Sequence, residues 1–231
     1  MSLNKETGRM LLSITLRYTI ALSLLGLLLF GAAGRWDLPM FWAYLLVFFV
    51  VGIVGLLAVG SGDPSVLQER FRPAARGKDR VTRPLAAVGM ISALLIAALD
   101  AGRFHWSPRI PVAIQAVALV LVGAAFGIWM WAMRVNRFFS SEVRIQRDRE
   151  HRVITDGPYR LVRHPGYAVL LVLLLCTPIA FGSLWALAAM VPLTGVIVWR
   201  TRLEDRLLLA ELEGYAAYAQ KVRFRLVPGL W

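Results

Sequence analysis

The chain has few of the side chains that build metal clusters and disulfides. Its 231 residues include one cysteine, Cys176, and only three histidines. A single cysteine cannot form an intrachain disulfide, and so few ligands do not predict a metal site. A glycine-rich nucleotide signature is also lacking, because Gly60-x-Gly62 has neither the third glycine nor a strand–helix–strand context. These absences argue against a metal-cluster protein, a disulfide-stapled domain and a soluble dinucleotide-binding enzyme.

Charge is also scarce. Only 17% of the residues are charged and 58% are hydrophobic, with a mean hydropathy of +0.62. The apolar residues form blocks that approach or exceed the roughly 20 residues needed to cross a bilayer. The four long blocks are Leu11–Ala33, Pro39–Gly60, Pro84–Ala101 and Ile110–Met133, and two shorter ones follow, Gly166–Phe181 and Leu184–Trp199. The pattern predicts an all-α, polytopic integral membrane bundle of about six helices, the last two forming a hairpin around Gly182-Ser183.

Acidic residues are outnumbered, with 14 Asp and Glu against 26 Lys and Arg and a net charge of +12. On a soluble protein this excess would indicate nucleic acid. With a cytoplasmic N-terminus, however, the outer loops carry only Arg35, Arg103 and Arg109, and Arg17 lies within the first span. The other 22 basic residues then fall on the inner side, as the positive-inside rule requires. We therefore predict cytoplasmic termini, contact with membrane lipids and no nucleic-acid partner.

The polar residues are concentrated in three inner segments, Ser61–Arg83, Arg134–Pro165 and Arg200–Trp231. The third begins as an amphipathic helix that continues the last span into the cytoplasm. We expect Gly214 to break this helix, Tyr215–Val222 to add a turn or two, and Pro228-Gly229 to form a turn. Trp129, near the inner end of its span, is interpreted as an interface anchor rather than a ligand contact.

The stretch Gly157–Leu175 leads from a polar cluster directly into a hydrocarbon run. Pro165 is suited to be the first residue of the fifth membrane helix, which puts His164 at the mouth of that helix. Free N–H groups at a helix N-terminus attract a carboxylate or phosphate. Five polar residues converge there: Tyr159, Arg160, Arg163, His164 and Tyr167. The alternative is that these side chains only anchor the helix among lipid headgroups.

A second polar cluster lies where the hairpin returns to the inner side. Arg200 and Glu204 are four residues apart and share one helix face. Since the two ends of a hairpin meet, they should lie near Arg163 and His164. The alternative for Arg200 and Glu204 is an ordinary salt bridge within the helix.

These motifs carry a resemblance to a known family. The stretch "TDGPYRLVRHPGY", followed by a hairpin and then "RTRLEDRLLLAELEGYAAYAQKVRFRLVPGLW", resembles the isoprenylcysteine carboxyl methyltransferase family, and its bacterial members in particular. The resemblance extends from about Arg134 to the C-terminus, and "DPSVLQER" and "DAGRFHW" upstream are similar as well. It implies a membrane methyltransferase of the bacterial inner membrane that binds S-adenosylmethionine on the cytoplasmic side.

The resemblance also implies roles for individual residues. The cofactor contacts of the family fall on His151, Arg152, Val153, Ile154, Tyr159, His164, Pro165, Gly166, Tyr167 and Glu204. Its upstream glutamine falls on Gln146 if a small gap is allowed, and on Arg144 otherwise. Its substrate-handling arginine falls on Arg200, and we predict Arg200 and Arg163 as the catalytic pair.

The residue types suit this chemistry. Arginine and helix-terminal N–H groups suit the carboxylate of S-adenosylmethionine, Glu204 suits its ammonium group, and tyrosine faces suit its sulfonium and adenine. A carboxylate acceptor is already a nucleophile at neutral pH and needs no base. An amine acceptor must lose a proton, and both inner histidines, His151 and His164, have cofactor roles. Carboxyl methylation of a lipophilic acceptor that enters from the bilayer is therefore preferred, with Arg200 orienting the acid.

We thus predict one methyltransferase domain over residues 1–231, with four membrane helices in 11–133 and a cofactor-binding catalytic region in 134–231. The acceptor is a lipophilic small molecule or a lipidated substrate. Three alternatives stay open: a phospholipid amine N-methyltransferase, an NADPH-dependent reductase of the sterol-reductase kind, whose C-terminus loosely resembles "RFRLVPGLW", and a non-enzymatic membrane scaffold. The sequence leaves the acceptor's identity and the oligomeric state open.

Overall fold

The computed structural model describes residues 5–70 and 79–231 and contains no strand within these ranges. Part of the predicted inner segment Ser61–Arg83 lies outside the described residues. A π-helical turn, Asp100–Phe104, extends α4, and two 3-10 turns, Arg147–Arg149 and Gly157–Arg160, lie between α5 and α6. The helices are α1 (Lys5–Ala33), α2 (Pro39–Gly62), α3 (Pro64–Arg70), α4 (Asp79–Leu99), α5 (Val112–Val135), α6 (Pro165–Ala180), α7 (Leu184–Glu211) and α8 (Tyr215–Lys221).

Five of these helical stretches are long and apolar enough to cross a membrane: Thr7–Ala33, Pro39–Gly62, Ala86–Phe104, Val112–Val135 and Leu184–Glu211. The sixth predicted membrane helix, α6, has 16 residues. At 1.5 Å per residue it is about 24 Å long, shorter than the roughly 30 Å of hydrocarbon. The predicted all-α membrane bundle is confirmed, with five helices of spanning length and one shorter apolar helix among the described residues.

The α6–α7 hairpin packs against the N-terminal helices of the bundle. Helix α5 packs against α2 and α6, α7 packs against α6 and α4, and α1 packs against α2 and α4. Phe30, Phe41 and Val122 are almost completely buried between these helices. Large apolar side chains on the outer faces, such as Val54 and Val120, are instead 62% and 70% exposed. So much exposed apolar surface is stable in lipid and not in water, so the chain is an integral membrane protein.

The α6–α7 hairpin has the predicted tight turn. Gly182 has φ +78°, a left-handed conformation that favours glycine. Ser183 caps α7, because its Oγ accepts a hydrogen bond from the backbone N–H of Ala186 at 3.0 Å. Helix α7 then runs unbroken for 28 residues and ends at Glu211. Gly214, with φ +80°, separates it from α8, as predicted.

A buried carboxylate fastens the hairpin turn to the α4–α5 connection. Asp100 is 1% exposed and accepts hydrogen bonds from the N–H and Oγ of Ser107 and from the Oγ of Ser183. The Oγ of Ser107 also accepts the N–H of Leu184 at 2.8 Å. The turn and the π-helical extension of α4 are therefore held together by one network, which we call the Asp100 latch.

Candidate active site

The start of α6 is built as its sequence predicts. Gly157 has φ +58° and opens the 3-10 turn that precedes the helix. His164 is the N-cap residue and Pro165 is the first residue of α6. The carbonyl oxygen of His164 accepts the N–H groups of Tyr167 and Ala168 at 3.1 and 3.0 Å. The imidazole of His164 therefore stands at the mouth of the helix, where it is 5% exposed.

The hairpin brings α7 beside this mouth. The hydroxyl of Tyr167 donates a hydrogen bond to Oε2 of Glu204 at 2.7 Å, and Nδ1 of His164 lies 3.9 Å from Oε1 of the same carboxylate. The Glu204 side chain is 30% exposed, so it also faces open space. The predicted proximity of His164 and Glu204 is confirmed.

The residue after Glu204 is the centre of a charged network that the sequence analysis did not identify. Asp205 is 1% exposed. Its Oδ1 accepts from Nε of Arg163 at 2.9 Å and from the hydroxyl of Tyr215 at 3.0 Å, and its Oδ2 accepts from Nε of Arg225 at 2.7 Å. Nε2 of His164 lies 3.1 Å from Oδ1. Because a carboxylate only accepts, this geometry puts a proton on Nε2 of His164. We call this set of residues the Asp205 network.

The Asp205 network also fixes the C-terminal tail. Nη1 of Arg163 donates to the carbonyl oxygens of Val222 and Arg223 at 2.9 and 2.8 Å. The backbone N–H groups of Arg163 and His164 donate to the carbonyl oxygens of Phe224 and Arg225 at 2.9 and 3.0 Å. Arg163, predicted as catalytic, therefore uses its guanidinium and its main chain to bind Asp205 and the tail.

The connection between α5 and α6 forms another wall. Gln146 is 1% exposed, and its Nε2 donates to the carbonyl oxygen of Phe138 at 2.6 Å. Nδ1 of His151 lies 3.3 Å from the backbone nitrogen of Gln146, and its ring packs 4.5 Å from that of Phe138. Burial, with the nearby guanidinium groups of Arg144 and Arg149, lowers the pKa of His151. The imidazole is therefore kept neutral at physiological pH.

Tyr159 is held from two sides. Its hydroxyl accepts from Nδ2 of Asn136 at 2.8 Å, and its carbonyl oxygen accepts from the hydroxyl of Tyr218 at 2.7 Å. Burial raises the pKa of Tyr159 above its ordinary value. The hydroxyl therefore stays protonated, and the ring is a fixed wall rather than an acid or base.

These elements surround one cavity of about 480 Å³. Every residue that was given a catalytic or cofactor role lines it: Gln146, His151, Arg152, Val153, Ile154, Tyr159, Arg163, His164, Pro165, Gly166, Tyr167, Arg200 and Glu204. Arg144, the alternative to Gln146, lines it as well. The individual roles given to these residues stay predictions, but their grouping around one space is observed. Arg160, which was predicted to converge at the mouth of α6, is exposed and is not among the lining residues, so that part of the prediction is wrong.

One end of the cavity is apolar, in contrast to the polar end at the mouth of α6. Side chains from α4, α6 and α7 form an apolar wall, namely Ala86, Ala87, Met90, Leu170, Leu174, Leu193, Val196 and Ile197. Arg200 lies on the same α7 face, and its Nη2 donates to the carbonyl oxygen of Ser141 at 3.2 Å. The space therefore extends from the polar mouth of α6 into the membrane part of the bundle.

Two features of the site were not found from the sequence. Asp205 was overlooked because its partners, from Arg163 to Arg225, are distant along the chain. No local sequence signal marks Asp205, since its spacing of four residues from Thr201 becomes informative only once the burial of both residues is known. The anchor interpretation of Trp129 was incomplete, since this residue lines the cavity.

Within the ranges that the structure describes, no three His, Cys, Asp or Glu side chains are grouped as metal ligands.

Comparisons with known proteins match this part of the chain. The model of the isoprenylcysteine carboxyl methyltransferase (ICMT) family matches residues 116–210. Protein-S-isoprenylcysteine O-methyltransferase B of Arabidopsis thaliana is 32% identical over 99 residues, covering 38% of this chain and 45% of the relative. A probable protein-S-isoprenylcysteine O-methyltransferase of Oryza sativa subsp. indica is 39% identical over 51 residues, covering 20% of this chain and 27% of the relative. The chain thus spans less than half the length of either relative.

The fold has a solved counterpart. A structure of the eukaryotic intramembrane Ras methyltransferase ICMT superposes with a TM-score of 0.54 at 18% identity, covering 90% of this chain and 73% of the other. The likeness concerns the helical architecture. Residues 116–210, which contain most of α5, all of α6 and most of α7, match the family model, and the solved structure matches in its helical architecture.

Proposed function

We propose that the protein is an S-adenosylmethionine-dependent methyltransferase that methylates the carboxylate of a lipophilic, isoprenylcysteine-like acceptor at the cytoplasmic membrane face. One observation carries the proposal. A single cavity has the predicted cofactor residues at its polar end and an apolar wall at its membrane end. Such a space suits two ligands of opposite character, a polar cofactor and a lipid.

The residues at the polar end fit S-adenosylmethionine by their chemistry. Glu204 offers a carboxylate to an ammonium group, and the start of α6 offers partial positive charge to a carboxylate. The rings of Tyr159 and Tyr167 line the same space and suit a sulfonium and an adenine. When bound, the cofactor would supply a methyl group on a positively charged sulfur. Tyr167 would hold Glu204 in place through the hydrogen bond that it donates.

The chemistry of the acceptor favours a carboxylate, because a carboxylate does not depend on a base in the cavity. An amine must lose its proton to react, and a cavity base would have to take it. Nδ1 of His151 accepts the N–H of Gln146, so the neutral ring carries its proton on Nε2. His164 has Nε2 directed at Asp205, which leaves Nδ1 as an acceptor that lies 3.9 Å from Oε1 of Glu204. A carboxylate needs no such base, because it is ionised at neutral pH. It needs positioning and a dry site, which Arg200 and the apolar wall would provide.

For Arg163 we propose a positioning role within the predicted catalytic pair. Its bonds to Asp205 and to the carbonyl oxygens of Val222 and Arg223 orient the tail and the backbone at His164. It would therefore shape the cofactor end rather than contact the acceptor, whereas Arg200 would contact the acceptor's acid.

We also propose that residues 1–231 act as one unit in a bacterial plasma membrane, with both termini in the cytoplasm. The inner segments that carry the site are rich in arginine, and the basic residues of the whole chain are distributed in the same sense, which supports this orientation. Cysteine labelling at Asp37 and Ser107 should then mark the outside. Labelling of Lys78, which lies outside the described residues, from the outer side would contradict it.

The proposal is tested with the purified chain in detergent. Calorimetry should show saturable binding of S-adenosylmethionine and none of NADPH, which would separate it from a reductase and from a scaffold that binds neither. Lipid extracts incubated with methyl-labelled cofactor, and analysed by mass spectrometry, should yield a base-labile methyl ester. A base-stable methylated phospholipid amine would instead identify an N-methyltransferase.

A further inference from the structure

We propose that Arg70, at the end of α3, is a second residue that binds the acid group of the acceptor together with Arg200. This inference rests on the proposed function, because it concerns the acceptor end of the same cavity. Arg70 lies before the segment that matches the family model, and it lines the cavity beside the α5–α6 connection, which it contacts at Ser141.

Helix α3 is fastened in a way that fixes Arg70. Its neighbour Glu69 is 7% exposed, and Oε1 of Glu69 accepts from Nη2 of Arg144 at 3.0 Å and from Oγ of Ser140 at 3.2 Å. Nη2 of Arg149 donates to Oγ of Ser65 at 2.6 Å at the start of the same helix. With both ends of α3 bound to the α5–α6 connection, its last side chain reaches the cavity from a fixed backbone.

Arg70 and Arg200 converge on one residue. Nη1 of Arg70 donates to Oγ of Ser141 at 2.7 Å, and that Oγ lies 2.7 Å from the carbonyl oxygen of Arg70. The carbonyl oxygen of Ser141 accepts from Nη2 of Arg200. Two guanidinium groups from helices 130 residues apart in sequence therefore reach the same serine in the cavity wall. Paired guanidinium groups are typical of sites that bind carboxylate or phosphate oxygens.

Two aromatic rings lie beside Arg70, and one of them reaches the start of α6. The guanidinium of Arg70 lies 5.5 Å from the Trp129 ring centre and 5.9 Å from that of Phe139. A Cβ added at Gly166 would lie 3.0 Å from the Phe139 ring, so that ring packs directly on the start of α6. Arg70 thus lies beside aromatic rings that reach the start of α6, on the cavity wall where the acid head of a membrane-embedded acceptor would lie.

A carboxylate on a lipidated amino acid and the phosphodiester of a phospholipid share this acid chemistry. The test therefore measures binding directly in detergent, using S-farnesyl-N-acetylcysteine, its neutral carboxamide and phosphatidylethanolamine as separate probes. Arg70→Gln should weaken binding of the acid probe about tenfold or more, as expected for a lost charged hydrogen bond, and leave the carboxamide unchanged. Arg70→Lys should recover part of the loss. Arg206→Gln, which removes an exposed charge from α7, is the matched control.

The outcomes separate this inference from the proposed function. Selective loss of the acid probe in Arg70→Gln supports a carboxylate acceptor, and selective loss of phosphatidylethanolamine supports a phosphodiester; both support acid binding by Arg70. Equal loss of acid and carboxamide, or no loss, overturns the inference and makes Arg70 a residue that only fastens α3. Failure of the wild type to bind S-adenosylmethionine would instead overturn the proposed function, since these probes are measured without cofactor.

Discussion

Two buried aspartates at opposite ends of the bundle are stabilised in different ways. The Asp100 latch uses neutral donors, the hydroxyls of two serines and a backbone N–H. Asp205 instead accepts from two arginines and a tyrosine, with an imidazole beside it. The latch fastens the α6–α7 turn to the end of α4, which is a purely structural contact. Members of the Asp205 network also line the cavity, so at that end the same residues stabilise the fold and shape the candidate site.

The largest effect is expected from Asp205→Asn. It would leave two guanidinium groups without their buried counter-charge, and breaking a buried pair in this way costs about 3–5 kcal/mol. We expect a large drop in melting temperature in detergent together with loss of cofactor binding. Asp37→Asn removes an exposed aspartate that is paired with Arg35 and serves as the control. A variant as stable as this control would contradict the account of Asp205.

A smaller and more local effect is expected from the residue next to Asp205. Glu204→Gln keeps the hydrogen bond from Tyr167 but removes the charge, so the affinity for S-adenosylmethionine should fall about tenfold or more. The melting temperature of the free protein should change little. Glu211→Gln, at the exposed end of the same helix, is the matched control for calorimetry. Unchanged affinity would remove Glu204 from the cofactor site.

Substitution of Asp100 should lower the stability of the protein without changing its affinity for the cofactor. In Asp100→Asn the amide can keep one of its accepted hydrogen bonds, and the serine hydroxyls can rotate, so we expect a loss of about 1–2 kcal/mol. The melting temperature should fall while cofactor affinity, compared at matched folded fraction, stays the same. A specific loss of cofactor affinity would show that the two ends of the bundle are not independent.

The smallest effect concerns pH. Since burial and two guanidinium groups lower the pKa of folded His151 below its unfolded value near 6.5, protonation favours the unfolded chain. This contribution to stability is fully present above about pH 6.5 and is lost as the pH falls towards the folded pKa. His151→Asn should therefore show a flatter decline of melting temperature between about pH 7 and 5.5 than the wild type. Parallel curves would contradict this.

The comparison also shows what the sequence can predict. The turn at Gly182 and the N-cap at His164 depend on neighbouring residues, and both were predicted correctly. The meeting of His164 with Glu204 followed from the hairpin alone. Asp205 and Arg70 were missed because their partners lie far along the chain, as Arg225 and Ser141 do, and no local pattern encodes such pairings. The short length of α6 was readable, but its apolar composition made it resemble a full span.

The most direct test is to measure cofactor affinity and methyl transfer in Arg200→Lys and Glu204→Gln at matched folded fraction. Lysine keeps the charge of Arg200 but loses the planar fork that orients two oxygens. The account predicts that Arg200→Lys transfers methyl groups far more slowly with nearly unchanged affinity for S-adenosylmethionine, whereas Glu204→Gln loses affinity for the cofactor. Equal loss of cofactor affinity in both variants would contradict a cavity divided between cofactor and acceptor.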